Sequence, residues 1–93
     1  MTVDVTKYIS GVVSLLKNAG AKEVYVFGSL VKGQLTEHSD VDIAVSGLPV
    51  GVLYRLIAEA TEMLNRPVDL VELDKDNPFT RYLKTSEELR RVG

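Results

Sequence analysis

The sequence predicts one small α/β (α+β) domain over residues 1–93, with a mixed sheet of three to four strands and helices mainly on one face. Two long segments carry apolar residues at helical spacing, and three short β-branched segments lie between and after them. The length of 93 residues is typical of a single domain. Because a chain this short buries only about 60 to 65% of its unfolded surface, we expect a modest core and room for a partner subunit.

Two helices and a shorter C-terminal helix are predicted. Residues 4–19 have apolar side chains every three or four positions, with Asp4 as candidate N-cap and Gly20 as candidate C-cap. Residues 50–64 return to the same spacing and predict the second long helix. The tail from Phe79 onward predicts a short helix with a frayed, charged end.

Three segments rich in β-branched residues predict strands over residues 23–28, 40–46 and 67–73. Residues 29–34, between the first two, are interpreted as one helical turn. The second and third strands flank the second long helix, which predicts a right-handed parallel crossover. The link between the first two strands is shorter, and the pattern leaves open a long hairpin or a short crossover.

The composition excludes several classes of protein. The net charge of −2 gives no overall attraction to nucleic acid or anionic membranes, so we expect no direct nucleic-acid binding. The absence of cysteine excludes disulfides and thiolate metal sites, and it fits a reducing compartment. The N-terminal stretch lacks the pattern of a signal peptide, and no apolar run approaches the roughly 18 residues of a membrane span. We therefore expect a cytoplasmic protein.

Carboxylates in the predicted strands are the first sign of chemistry. Asp40 and Asp42 lie beside and inside an apolar run, and alternate strand residues point to the same face. With their Cα atoms about 6.5 to 7 Å apart, the two carboxylates repel unless a cation lies between them. Hard divalent cations such as Mg²⁺ take oxygen ligands and suit this arrangement. Asp69, inside the third strand, approaches the pair if the two strands are neighbours.

A phosphate site is predicted beside these acids. Three carboxylates on adjacent strands could hold two metal ions about 3.5 to 4 Å apart, which stabilises the entering and leaving oxygens of a phosphoryl displacement. Gly28-Ser29 follows a strand and opens the predicted helical turn, whose N–H groups and hydroxyl favour an anion. Gly33 would close this turn, and Lys32 is a candidate phosphate contact. The combination predicts binding of a nucleoside triphosphate.

A lone Gly-Ser or Asp-x-Asp is a weak signal, but their order and spacing are more specific. Gly28-Ser29, ten residues, then Asp40-Val41-Asp42 resembles the Gly-Ser…Asp-x-Asp signature of the polymerase-β-like nucleotidyltransferases. The small size and the later "VDLVEL" are similar to the minimal nucleotidyltransferase (MNT) subgroup, whose members pair with HEPN proteins as antitoxins. The resemblance covers residues 22–73 well and the two ends only loosely.

The resemblance implies the nucleotidyltransferase fold and transfer of a nucleoside monophosphate, often AMP from ATP, to a hydroxyl. In the antitoxins that hydroxyl belongs to a tyrosine of the HEPN partner. The resemblance also implies Mg²⁺, as two ions, at Asp40 and Asp42, with Asp69 as the third carboxylate that activates the acceptor. We take all three aspartates as candidate catalytic residues and metal ligands, and four residues as candidate nucleotide-binding residues: Gly28, Ser29, Lys32 and Gly33.

The sequence departs from the family pattern at Leu30, where many active members carry arginine or an aromatic residue. This departure motivates an alternative, in which the protein is a catalytically weak or inactive binding module that neutralises its partner by covering it. A third interpretation is a transferase for a small molecule such as a hydroxyl-bearing antibiotic, against which the lack of an acceptor domain argues. Exposed apolar area beside the acids favours a protein partner or self-association. The resemblance implies that this partner is a HEPN protein.

Overall fold

The computed structural model describes residues 5–32 and 40–93, with the side chains of residues 5–8, 29 and 30 outside the description. Each predicted helix and strand is present, with ends shifted by a few residues. The candidate N-cap Asp4 and the candidate phosphate-site residue Gly33 lie outside the described residues. None of the helices described is long and apolar enough to cross a membrane. The elements in chain order are α1 (Val5–Asn18), β1 (Glu23–Phe27), α2 (Ser29–Lys32), β2 (Val41–Ser46), α3 (Leu53–Leu64), β3 (Val68–Glu72), α4 (Pro78–Thr85) and β4 (Arg90–Arg91).

The described strands form one mixed sheet in the order β3-β2-β1-β4. β1 and β2 pair antiparallel, so the connection left open by the sequence is of the hairpin type. β2 and β3 pair parallel across α3, which confirms the predicted parallel arrangement. β2 therefore lies between β1 and β3, and its residues have neighbours on both sides.

The prediction of a frayed C-terminal end was wrong. Arg90 and Arg91 form β4, which pairs antiparallel with Val26 and Tyr25 of β1. The backbone N–H of Val92 continues the ladder by donating to the Val24 carbonyl at 2.8 Å. The physical reason is that the outer edge of β1 carries backbone groups that need partners, whereas two exposed arginines give no strand signal of their own.

The main core lies on one face of the sheet, where α1 and α3 pack against the strands. Val24 and Val26 both point to this face, since alternate residues of a strand share one face. The opposite face carries a smaller cluster, partly covered by α4, which comprises Phe27, Ala44, Leu73 and Leu83. Helices therefore cover mainly one face, as predicted. Among the residues that the structure describes, thirteen buried side chains form the main core: Ile9, Val12, Leu16, Ala21, Val24, Val26, Val41, Ile43, Val45, Leu56, Ala60, Val68 and Leu70.

A capping box fixes the start of α4. The Asn77 side chain accepts a hydrogen bond from the Thr80 N–H at 2.9 Å, and the Thr80 hydroxyl accepts one from the Asn77 N–H at 3.1 Å. Pro78 occupies the start of the helix, where its missing N–H costs nothing. Thr80 is buried, and its hydroxyl also donates to the Lys75 carbonyl. This one side chain therefore joins the turn after β3 to the first turn of α4.

We expect Thr80→Val to lower the free energy of unfolding by about 1 to 3 kcal/mol, because it removes two part-buried hydrogen bonds, with the Asn77 N–H and the Lys75 carbonyl, each worth about 0.5 to 1.5 kcal/mol. The measurement is urea denaturation followed by circular dichroism. Thr85→Val is the matched control, since the exposed Thr85 hydroxyl donates to the carbonyls of Arg81 and Tyr82 in its own helix. The control should stay within about 0.5 kcal/mol of the parent. Equal losses in both variants would contradict the role given to Thr80.

Candidate functional site

The three predicted aspartates lie together at one end of the sheet. Asp42 on β2 has Phe27 as its register partner on β1 and Asp69 as its register partner on β3. Asp40 directly precedes β2, two residues from Asp42. Asp42 is half-buried, whereas Asp40 and Asp69 are exposed. The acids occupy the face opposite the main core, the same face that α4 partly covers.

The carboxylates interact electrostatically. The pKa of Asp42 is raised, first by its burial and then by the negative charges of Asp69 and Asp40. In the part of the chain that the structure describes, no three acidic or histidine side chains are already gathered around one metal position. The donor set is nevertheless oxygen-only, which fits a hard cation such as Mg²⁺, and a cation would relieve the repulsion that raises the pKa of Asp42.

Gly28 brings the backbone against the Asp42 carboxylate. Its φ of 70° lies in the left-handed region that favours glycine. A Cβ atom at this position would lie 3.2 Å from the Asp42 Cγ and would collide with Oδ2. The Gly28 carbonyl accepts hydrogen bonds from the N–H groups of Val31 and Lys32, both at 3.1 Å, and so begins α2. A glycine is therefore required both by the turn and by the close approach to Asp42.

Lys32 and Ser29 are the other candidate nucleotide contacts in the described part of the chain. The Lys32 ammonium forms an ion pair with the Glu88 carboxylate at 3.1 Å, and both side chains are partly exposed. A phosphate would have to compete with Glu88 for this lysine, although an exposed pair contributes only about 0 to 1 kcal/mol. No local pattern predicts the involvement of Glu88, because its approach to α2 depends on the position of β4, a strand that the sequence did not predict. The side chain of Ser29 lies outside the described side chains.

A polar cleft lies elsewhere, at the opposite end of the β1–β2 ladder. The Tyr25 hydroxyl donates a hydrogen bond to Glu23 there, and this bond, more than burial, raises the pKa of Tyr25. The cleft contains none of the predicted site residues, so we do not assign the chemistry to it. Its lining comprises Glu23, Tyr25, Ser46, Leu73, Asp74, Lys84, Ser86 and Leu89.

In protein freed of metal by a chelator, we expect Asp42→Asn to raise the free energy of unfolding at neutral pH, by no more than about 1 kcal/mol because solvent screens half-exposed charges. The folded protein holds the Asp42 proton more tightly than the unfolded chain, so the ionised carboxylate destabilises the fold at pH values above its raised pKa. The gain should shrink as the pH falls towards the usual value of 3.8.

Urea titrations from neutral pH down to that value measure this gain. Glu59→Gln, an exposed acid on α3, controls for the loss of one negative charge. A gain in Asp42→Asn that is equal across the whole pH range would contradict the electrostatic explanation.

Comparison with known proteins is consistent with this geometry. A sequence model of the family described as "Polymerase beta, Nucleotidyltransferase" matches residues 12–89. A solved structure assigned as a minimal nucleotidyltransferase is 31% identical, with a TM-score of 0.66, over 85% of this chain and 87% of the other. Among curated proteins, no sequence matches this chain.

Two complexes show the same fold at lower identity. A toxin–antitoxin structure with AMP-PNP is 24% identical over 95% of this chain and 72% of the other, with a TM-score of 0.76. The complex of a tri-AMPylated Shewanella oneidensis HEPN toxin with an MNT antitoxin is 20% identical over 96% of this chain and 71% of the other, with a TM-score of 0.72. The family match spans most of the chain and includes every predicted motif, so this protein belongs to the polymerase beta nucleotidyltransferase family.

Proposed function

We propose that this protein is a Mg²⁺-dependent nucleotidyltransferase that transfers AMP from ATP to a tyrosine hydroxyl of a HEPN toxin and thereby acts as its antitoxin. The observation that carries the proposal is the register of the sheet, which sets Asp69 beside Asp42 with Gly28 against the same carboxylate. The structural neighbours support the choice of nucleotide and partner, since one contains AMP-PNP and another a tri-AMPylated HEPN toxin.

Each predicted residue has a role in this proposal. Asp40 and Asp42, with Asp69, would hold Mg²⁺, which when bound neutralises charge on the triphosphate. The turn at Gly28 lets a phosphate approach the backbone at the start of α2, with Ser29, Lys32 and Gly33 as further nucleotide contacts. The proximity of Asp42, Asp69 and Gly28 at one end of the sheet supports nucleotide binding there.

Asp69 is the candidate general base. It is exposed, so a hydroxyl brought by another protein can reach it, whereas Asp42 is half-buried against Gly28. Asp69 would accept the proton of the tyrosine hydroxyl while the tyrosine oxygen attacks the α-phosphorus of ATP. The bond from that phosphorus to the bridging oxygen breaks, and pyrophosphate leaves. AMP then remains on the partner.

The direct test is incubation with ATP, Mg²⁺ and the HEPN protein encoded beside this chain, followed by intact-mass spectrometry. We expect the partner to gain the mass of one or more AMP groups. Asp69→Asn should slow the transfer by about 10²- to 10⁴-fold, the range typical of a lost general base. Asp74→Asn is the matched control, because Asp74 follows β3 at the other end, where its carboxylate accepts a hydrogen bond from the Gly47 N–H. Absence of any adduct with folded wild-type protein would refute the enzymatic proposal.

A second function is favoured by the ion pair that occupies Lys32 and by the lack of a preassembled metal position among the described residues. In this alternative the protein neutralises its partner by binding alone. The double variant Asp40→Asn/Asp42→Asn separates the two, since it removes both carboxylates of the Asp-x-Asp motif. Full neutralisation of the toxin by this variant would establish binding as sufficient, whereas loss of neutralisation supports the enzyme.

Gly28→Ala should abolish binding of Mg²⁺–ATP, because the new methyl group displaces the Asp42 carboxylate. The substitution should lower the free energy of unfolding by about 1 to 2 kcal/mol, the usual cost of a left-handed conformation for alanine. Gly51→Ala is the control, since Gly51 also has a positive φ of 91° but open space around it. The control should lose similar stability and keep nucleotide binding, as measured by calorimetry. Equal loss of binding in both would contradict the role of Gly28.

A further inference from the structure

An aromatic pair lies on the same sheet face as the aspartates. The ring of Phe79, in the first turn of α4, packs edge-to-face on the ring of Phe27, with the ring centroids 6.1 Å apart and the planes at 64°. Phe27 is the register partner of Asp42, so the pair lies at the carboxylate end of the sheet. Phe27 is 8% exposed, whereas Phe79 is 49% exposed. The Phe27 ring is therefore packed, whereas the Phe79 ring is half-exposed to solvent on the face that carries the aspartates.

The position of Phe79 is fixed from two directions. The capping box between Asn77 and Thr80 holds the first turn of α4. Pro78, whose ring fixes its own φ, directly precedes Phe79. The Phe27 ring supports Phe79 from the sheet. A ring held in this way loses little conformational freedom when a ligand packs on it, which is the condition for efficient stacking.

We propose that Phe79 is the stacking platform for the base of the nucleotide. The inference rests on the proposed function, because it needs the phosphates to lie at the neighbouring aspartates. A planar base is a ligand whose π-face suits an exposed aromatic ring, and it is attached to the phosphates through the ribose. Stacking is tolerant of base identity, since every base has a π-face. Phe79 therefore makes the site select nucleotides over base-free polyphosphate, and it discriminates only weakly between purines.

Direct observation of stacking uses Phe79→Trp. The chain contains no tryptophan, so the variant has a single indole at the proposed contact. We expect ATP with Mg²⁺ to quench its fluorescence, while tripolyphosphate with Mg²⁺ leaves it unchanged at the same site occupancy. Occupancy is measured independently by calorimetry. ATP binding without quenching, or equal quenching by both ligands, would overturn the proposal.

Affinity provides the second measurement. Phe79→Leu keeps an apolar contact with Phe27 but removes the stacking ring. We expect it to weaken ATP binding by about 5- to 100-fold, the range of base–aromatic stacking, and to leave the Kd for tripolyphosphate unchanged. Tyr82→Leu is the control, because Tyr82 is the other exposed aromatic side chain of α4 at 57%. The control should keep the Kd of wild-type protein for both ligands.

The binding measurements distinguish failure of the stacking proposal from failure of the proposed function. Wild-type protein that binds neither ATP nor tripolyphosphate refutes the proposed function and the stacking together. Wild-type protein that binds both with equal Kd refutes the stacking alone. A thermal melt accompanies each variant, and loss of both ligands in a folded Phe79→Leu protein would show that Phe79 shapes the phosphate site rather than stacking on the base.

Discussion

The register of β2 between β1 and β3 is the constraint on which the site depends. Because successive strand residues point to opposite faces, a slip of one position would turn Asp42 into the core and a valine out to solvent. The main core, to which Val41, Ile43 and Val45 contribute, prevents that slip. Apolar packing on one face thus holds carboxylates together on the other, against the repulsion that raises the pKa of Asp42.

The face that carries the candidate site is covered by short elements rather than by the long helices. α4 and the segment after it cover only part of this face, where Leu83 and Leu89 pack near Phe27. The Asn77–Thr80 capping box and the turn at Gly28 give these short elements definite positions. The main core therefore packs on the sheet face opposite the candidate site, and the exposed side chains of the site lie on the other face.

Much of the fold follows from local pattern. The alternation in β2 and β3 was enough to predict strands and to set Asp40 and Asp42 on one face, and a helix between two strands indicated their parallel pairing. The pattern could not decide how β1 meets β2, since the intervening stretch fits two connections. It also missed β4, whose pairing is dictated by the open edge of β1 rather than by its own arginines. Glu88 contacts Lys32 and Phe79 contacts Phe27 through the tertiary fold, and no local sequence pattern predicts either contact.

The segment from Glu88 to Gly93 contacts β1 near its start and α2 just beyond its end. Glu88 holds the lysine of α2, and the N–H groups of Val92 and Gly93 both donate to the Val24 carbonyl, at 2.8 and 3.1 Å. β4 has only two residues, so its pairing is among the least stable in the sheet and depends on what anchors its ends. An event that draws Lys32 away from Glu88 releases one anchor. We therefore expect the amide hydrogens of Val92 and Gly93 to exchange somewhat faster when a ligand at the turn beyond the end of β1 draws Lys32 away from Glu88.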